Sequence, residues 1–153
     1  MRLQDPGNTI IVTDTNMTKS GIHKASLNKL DVEAACFMAD ADVAEEAKKE
    51  GVTRAYVSMK KAARQAEKEG KHVIFSVGNA PTALVAIEEM IRTGKVKPAL
   101  VIGVPVGFVN VVQAKELIMT TDTPYIVAKG RKGGSTVAAA IINALLYKID
   151  KER

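Results

Sequence analysis

The sequence predicts an α/β domain, a three-layer parallel sheet of about five strands with helices on both faces. Five short apolar runs rich in β-branched residues alternate with segments that have helical periodicity. Strands separated by helices pair in parallel through right-handed crossovers, so this order predicts a doubly wound or three-layer sheet. Because residues 1–153 contain no internal repeat, linker or low-complexity segment, we expect a single domain.

The first part of the chain predicts two strands around a short helix. Thr9–Thr13 is a β-branched run of the kind found in strands. In the sequence DTNMTKSGI behind it, Asp14 can cap the turn and Gly21 can end a short helix. Glu33–Met38 is the second apolar run.

Two helices are expected before the central strand. The first begins near Asp40 or Asp42, which can cap it, and stops at Gly51. The second begins at the capping residue Thr53 and ends at Gly70. Its apolar residues recur at helical spacing and are mostly small: Val57, Met59, Ala62, Ala63 and Ala66.

The rest of the chain repeats a strand-helix unit. Its predicted elements are, in order, the strand Val73–Val77, the helix Thr82–Arg92, the strand Ala99–Ile102, the helix Val111–Met119, the strand Tyr125–Ala128 and the helix Thr136–Tyr147. The last helix is apolar almost all round. We therefore expect it to be buried, either under the sheet or against a second subunit.

Each of the last three strands runs into a glycine-bearing turn, with the sequences GNAPT, GVPVG and GRKGG. Pro81 suits the first turn of a helix because it has no N–H to leave unpaired, and the free amides of such a helix start attract an anionic group. In open α/β folds, ligands bind at the carboxyl ends of the strands. We therefore expect the three turns to line one crevice that holds an anionic ligand.

Cations and polar side chains at these junctions are the candidate ligand contacts. Lys129–Ser135, which we name the basic turn, has three glycines that let a ligand approach the backbone, and Arg131 can hold a carboxylate with two bonds. Arg54 starts a helix at the same edge, and Asn79 and Thr82 follow the central strand. Each candidate has a purely structural alternative. The basic turn can be a solvated loop, Arg54 can be an ordinary exposed arginine, and Asn79 and Thr82 can cap their own helix.

Composition favours an acidic small molecule over other partners. The net charge is +5, but three Tyr, three Phe and no Trp leave little to stack nucleic-acid bases, so no nucleic acid is expected. No apolar run reaches the length of a membrane span and no signal-peptide pattern opens the chain, so we expect no membrane partner and a cytoplasmic location.

The remaining reactive side chains carry little functional signal. Cys36 is the only cysteine and lies in an apolar run, where we expect a buried inert thiol. His23 and His72 belong to no ligand-spaced cluster, so no metal site is predicted. Asp14 is interpreted as structural rather than as a general base, since no partner acid or histidine is evident.

Five blocks of the sequence together resemble one known family. DTNMTKSGI, GVTR, GNAPTAL, PALVIGVPVGFV and GRKGGS, in this order, resemble the precorrin-8X methylmutase family, also called cobalt-precorrin-8 methylmutase. The resemblance extends from about Thr9 to Leu146. Five separate blocks in register make it highly specific, although no single block would suffice.

The resemblance implies an isomerase of cobalamin biosynthesis that moves a methyl group from C-11 to C-12 of a tetrapyrrole, giving a corrin such as hydrogenobyrinic acid. It implies no cofactor, a polycarboxylate substrate (precorrin-8X or cobalt-precorrin-8), and a homodimer with substrate sites near the subunit interface. The negatively charged acetate and propionate groups of the substrate then account for the excess of Lys and Arg over Asp and Glu in the sequence. The substrate-binding residues that it implies on the matching blocks are Ser20, Gly21, Thr53, Arg54, Asn79, Thr82, Arg131, Lys132 and Gly133.

The catalytic residue stays unknown. Family members carry the histidine thought to protonate the substrate in a section before the block that starts here at Thr9, and neither His23 nor His72 falls in that motif. Three interpretations follow: a catalyst that works by positioning and electrostatics, a corrinoid-binding relative without the reaction, or part of an enzyme whose N-terminal section is a separate chain. A nucleotide-binding doubly wound domain rests only on fold analogy and ranks last.

Overall fold

The computed structural model describes residues 6–107 and 109–152, which contain one five-stranded parallel sheet. Its strands are β1 (Thr9–Thr13), β2 (Glu33–Cys36), β3 (His72–Val77), β4 (Leu100–Gly103) and β5 (Tyr125–Val127). Their spatial order is β2-β1-β3-β4-β5, and every neighbouring pair is parallel. The predicted fold class and the number of strands are confirmed. Phe108, in the loop after β4, lies outside the described residues.

Helices connect the strands and cover both faces of the sheet. They are α1 (Asn16–Gly21), α2 (Lys24–Leu30), α3 (Ala41–Glu50), α4 (Arg54–Glu69), α5 (Pro81–Arg92), α6 (Val111–Met119) and α7 (Ser135–Glu152). A 3-10 turn, Pro6–Asn8, precedes β1. None of the helices in the described part of the chain combines the length and the hydropathy that crossing a bilayer requires.

The two faces of the sheet bury separate cores, because successive residues of a strand point to opposite sides. Ile10 and Val12 of β1 join Phe75 of β3 in the core covered by α3, α4, α5 and α6. Ile11 and Ile74, their neighbours in sequence, enter the core under α2 and α7. The central strands are therefore covered on both sides, as is usual for a parallel sheet.

Two helices differ from the prediction. Helix α2 was not predicted, because it lacks the usual start and stop signals: His23 makes no side-chain cap bond, and the helix ends at Asp31 in the left-handed conformation (φ 55°) rather than at a glycine. Helix α7 starts at Ser135 and continues well beyond the predicted end at Tyr147. Only part of its apolar surface packs under the sheet.

Three local expectations need correction. Asp14 does not cap α1, because Thr15 is the N-cap residue and accepts from the N–H of Thr18. Asp40 lies at the N-cap position of α3, but its carboxylate pairs with Lys61 Nζ at 2.6 Å instead of capping the helix. Cys36, expected to be buried, is only half-buried on the edge strand β2.

Strands β1 and β3 lie side by side, but the chain leaves them toward opposite faces. After β1 it continues into α1, which packs against α7, and after β3 into α5, which packs against α4 and α6. Such a divergence is the topological switch point of a doubly wound sheet, where a crevice opens at the carboxyl ends of the strands.

Candidate functional site

A carboxylate of the chain itself lies at the switch point and bonds to the backbone that follows β3. Asp14 follows β1 and is completely buried. Its Oδ1 accepts a hydrogen bond from the N–H of Gly78 at 2.8 Å, and its Oδ2 accepts from the N–H groups of Asn79 and Ala80 at 2.8 and 2.7 Å. These are the amides at the start of α5 that the sequence suggested for a ligand anion. That expectation is wrong for these three amides, because they already donate to Asp14.

The environment of Asp14 has two opposing effects on its charge. Burial raises the pKa of the Asp14 carboxyl, whereas the three backbone N–H donors oppose that rise because they favour the carboxylate. The contacts support the interpretation of Asp14 as a structural residue. It ties the end of β1 to the start of α5.

The three glycine-bearing turns meet at the carboxyl edge of the sheet, as predicted. A methyl group on Gly78 would lie 2.7 Å from the Cα of Ser135, so the turn after β3 packs directly on the basic turn. The N–H of Gly134 donates to the carbonyl of Val104 at 2.7 Å, which joins the basic turn to the turn after β4. One continuous surface results from segments that are far apart in sequence.

Hydroxyl groups join the starts of α1 and α7 at the same edge. The Oγ1 of Thr15 lies 2.9 Å from the Oγ of Ser135 and 2.9 Å from the Oγ1 of Thr18. Sequence analysis did not select Thr15. The available signal was its position after Asp14, where a threonine can cap the helix that follows.

A buried lysine, also missed by sequence analysis, lies on the inner side of the basic turn. Lys115 of α6 is 1% exposed, and its Nζ donates to the carbonyls of Ala128 at 2.6 Å, Gly130 at 2.8 Å and Lys132 at 2.8 Å. An ammonium has three N–H donors, so all of them are used. Desolvation by burial lowers the pKa of Lys115. The charge of Lys115 therefore organises the turn rather than contacting a ligand.

The starts of α4 and α5 are bonded side by side. Thr53 caps α4 by accepting from the N–H of Tyr56 at 3.1 Å, and its hydroxyl donates to the Oγ1 of Thr82 at 2.9 Å. Further along the same pair of helices, the Tyr56 hydroxyl donates to the carboxylate of Glu89. Arg54, the first residue of α4, is exposed next to this junction.

Most of the predicted binding residues thus come together at one edge. Asn79, Arg131 and Lys132 are exposed there, and the carbonyl of Arg131 accepts from the N–H of Gly107 at 3.2 Å. Gly133 makes the closest backbone approach, because a methyl group on it would lie 1.9 Å from a carbonyl oxygen of the turn after β4.

Ser20 and Gly21 lie at the other end of α1. Ser20 is exposed. A methyl group on Gly21 would lie 2.8 Å from the Cβ of Ala139, and the Gly21 carbonyl accepts from Asn143 Nδ2 at 2.9 Å. These contacts give Gly21 a packing role between α1 and α7, away from the junction of Thr15 with Ser135.

The opposite, amino edge of the sheet has a cavity of its own. Its volume is about 510 Å³. It lies where β3, β4 and β5 begin, and its lining includes Lys71, His72, Lys97 and Asp122. This amino-edge cavity shares none of its lining with the three turns.

Comparison with known proteins gives a consistent result. A sequence model of the family described as precorrin-8X methylmutase matches residues 4–148. The cobalt-precorrin-8 methylmutases of Priestia megaterium and Leptospira interrogans are 44% and 45% identical over 140 and 147 residues, each over 92% of this chain. A solved precorrin-8X methylmutase structure from Thermus thermophilus superposes with a TM-score of 0.83 at 35% identity, covering 96% of this chain and 70% of that one.

The relatives are longer than this chain, which spans 60% and 66% of the length of the Priestia megaterium and Leptospira interrogans proteins. The family match nevertheless includes all five strands and all the turns described above. The chain belongs to the precorrin-8X methylmutase family.

Proposed function

We propose that this chain is a precorrin-8X methylmutase domain, which binds a polycarboxylate tetrapyrrole over the carboxyl edge of its sheet and moves a methyl group from C-11 to C-12 of the macrocycle. The substrate is precorrin-8X or cobalt-precorrin-8. The observation that carries the proposal is the convergence of the three turns and the starts of α4 and α5 on one edge, in a chain of this family.

The chemistry of the ligand fits the charges at this edge. Acetate and propionate groups need cationic or N–H donors, and Arg54, Arg131 and Lys132 supply positive charge on the exposed side of the turns. Substrate and product are isomers, so the reaction consumes no second reagent. The contribution of the protein is then to hold the macrocycle in one orientation and to stabilise charge as the methyl group migrates.

Turnover of the tetrapyrrole substrate tests this proposal. The purified chain is incubated with precorrin-8X or cobalt-precorrin-8, and the visible absorbance of the rearranged corrin is recorded. We expect conversion without any added redox cofactor. Binding of the substrate without conversion would contradict the isomerase assignment.

Arg131→Ala is expected to weaken binding of hydrogenobyrinic acid by about 10- to 100-fold. A charge-assisted hydrogen bond to a carboxylate contributes roughly 1.5–3 kcal/mol, and alanine removes it. The loss should shrink at high salt, because exposed charges are screened. Absorbance titration measures the dissociation constant. Arg92→Ala, at the far end of α5, is the matched control and should bind hydrogenobyrinic acid with the affinity of the wild-type protein. Unchanged affinity of Arg131→Ala would show that Arg131 does not contact a carboxylate of the ligand.

We also propose a homodimer that packs through the outward side of α7. Val137 and Tyr147 are 39% and 60% exposed there, and the small residues Ala140 and Ala144 between them are exposed as well. Ala144→Arg should therefore convert the dimer to a 16.4 kDa species in sedimentation, whereas Ala41→Arg on α3 should leave it dimeric. A single 16.4 kDa species for the unmodified chain would contradict the proposal.

A further inference from the structure

We propose that Lys115 is a positioning residue of the ligand site, whose ammonium fixes the conformation of the basic turn and thereby sets how tightly Arg131 holds a polyanionic ligand. This inference rests on the proposed function of the basic turn. Lys115 itself does not touch the ligand, since its three donors are bonded to backbone carbonyls.

The geometry of the turn carries the inference. The carbonyls of alternate residues, Ala128, Gly130 and Lys132, converge on one Nζ. In a trans peptide the C=O and the N–H point in opposite directions. The N–H groups of the same three peptide units therefore face away from Lys115. A single buried ammonium orients both the backbone and the side chains that the turn presents.

Glycines in the turn explain why such a tether matters. Gly130 and Gly133 have φ values of +84° and +153°, and a glycine-rich segment has many alternative conformations when nothing holds it. Burying a cation without a carboxylate partner lowers the stability of the fold, because the charge loses its hydration. An apolar side chain of similar length would fill the same space without that desolvation penalty. The ammonium is distinguished by its three converging donors, which methionine lacks.

A double-mutant cycle tests the role of Lys115. Lys115→Met removes the donors and keeps the length of the side chain. In wild type, Arg131→Ala should weaken binding of hydrogenobyrinic acid about 10- to 100-fold, but in the Lys115→Met background its effect should shrink to less than about 3-fold. Arg54→Ala, on α4, is the matched control and should keep its full effect in both backgrounds. Full additivity of Lys115→Met with Arg131→Ala would overturn the proposal.

A second readout needs no ligand. In the Lys115→Met variant the basic turn is no longer held, so trypsin should cleave this variant after Lys129, Arg131 and Lys132 at least about 10-fold faster than it cleaves the wild-type protein. Cleavage after Lys49 is the internal control and should occur at the same rate in both proteins. Unchanged cleavage of the basic turn would overturn the role of Lys115. Faster cleavage in a chain that binds no corrinoid would support that role and count against the proposed function instead.

The unmodified protein provides the third measurement, which holds even if Lys115→Met fails to fold. An ammonium bonded to three carbonyls exchanges its protons slowly, so Lys115 should give a protected ¹⁵Nζ resonance in NMR spectra. Lys115→Gln, which keeps an amide donor, should lose that resonance and show intermediate cleavage of the basic turn. Absence of any protected lysine resonance in the unmodified chain would overturn the proposal.

Discussion

Asp14→Ala is expected to lower the free energy of unfolding by about 3–5 kcal/mol, or the melting temperature by about 10 °C. The carboxylate is completely buried and accepts three consecutive N–H groups, from Gly78, Asn79 and Ala80. Alanine leaves these donors without an acceptor at the start of α5 and detaches that helix from β1. Thermal or denaturant unfolding followed by circular dichroism measures the loss.

Asp14→Asn is the matched control for that variant. Asparagine keeps the size of the side chain and one acceptor oxygen, but its NH₂ group replaces the second oxygen and cannot accept from a backbone N–H. We therefore expect roughly half of the loss in unfolding free energy that Asp14→Ala causes. A cost below about 1 kcal/mol for Asp14→Ala would show that water satisfies these amides equally well. The role of Asp14 in tying the end of β1 to the start of α5 would then be wrong.

Gly133→Ala should both destabilise the protein, by about 2–4 kcal/mol, and weaken corrinoid binding at least as much as Arg131→Ala does. The added methyl group would lie 1.9 Å from the carbonyl oxygen of Val104 and 2.7 Å from its carbonyl carbon. The same oxygen accepts the N–H of Gly134 at 2.7 Å, so relief of the clash breaks the bond between two turns. The basic turn has to move outward, and Arg131 moves with it.

Gly130→Ala separates steric contact from backbone strain. Gly130 also has a positive φ, +84°, but a methyl group on it would meet nothing within 4 Å. We therefore expect a loss of only about 1 kcal/mol, typical of alanine forced into the left-handed region, with little change in binding. Equal effects of the two substitutions would contradict the role given to close packing between the turns.

Local signals predicted most of the fold. Helix α6 has the predicted bounds Val111–Met119, and Thr53 caps α4 as its position suggested. Helix α2 was missed because its boundaries rest on backbone geometry and on packing against α7, with no capping side chain or terminal glycine to mark them.

The candidate site was predictable only in part. Parallel strands with glycine turns place GNAPT, GVPVG and GRKGG at one edge, which is how Asn79 and Arg131 were selected. The contacts that hold this edge have no sequence pattern. Asp14 is 64 positions from the first amide that it accepts, and Lys115 bonds to backbone carbonyls, which every residue has. Such partners become visible only when the chain is folded.

Hydrogen exchange with and without saturating hydrogenobyrinic acid tests the location of the ligand most directly. The account predicts slower exchange of the backbone amides at the carboxyl edge, at Asn79, Ala80 and Thr82 and in the basic turn. It predicts no change at His72 or Lys97 in the amino-edge cavity. At a ligand concentration near the dissociation constant of wild type, Arg131→Ala should lose most of this protection. Protection confined to the amino-edge cavity, with unchanged exchange in the three turns, would contradict the account.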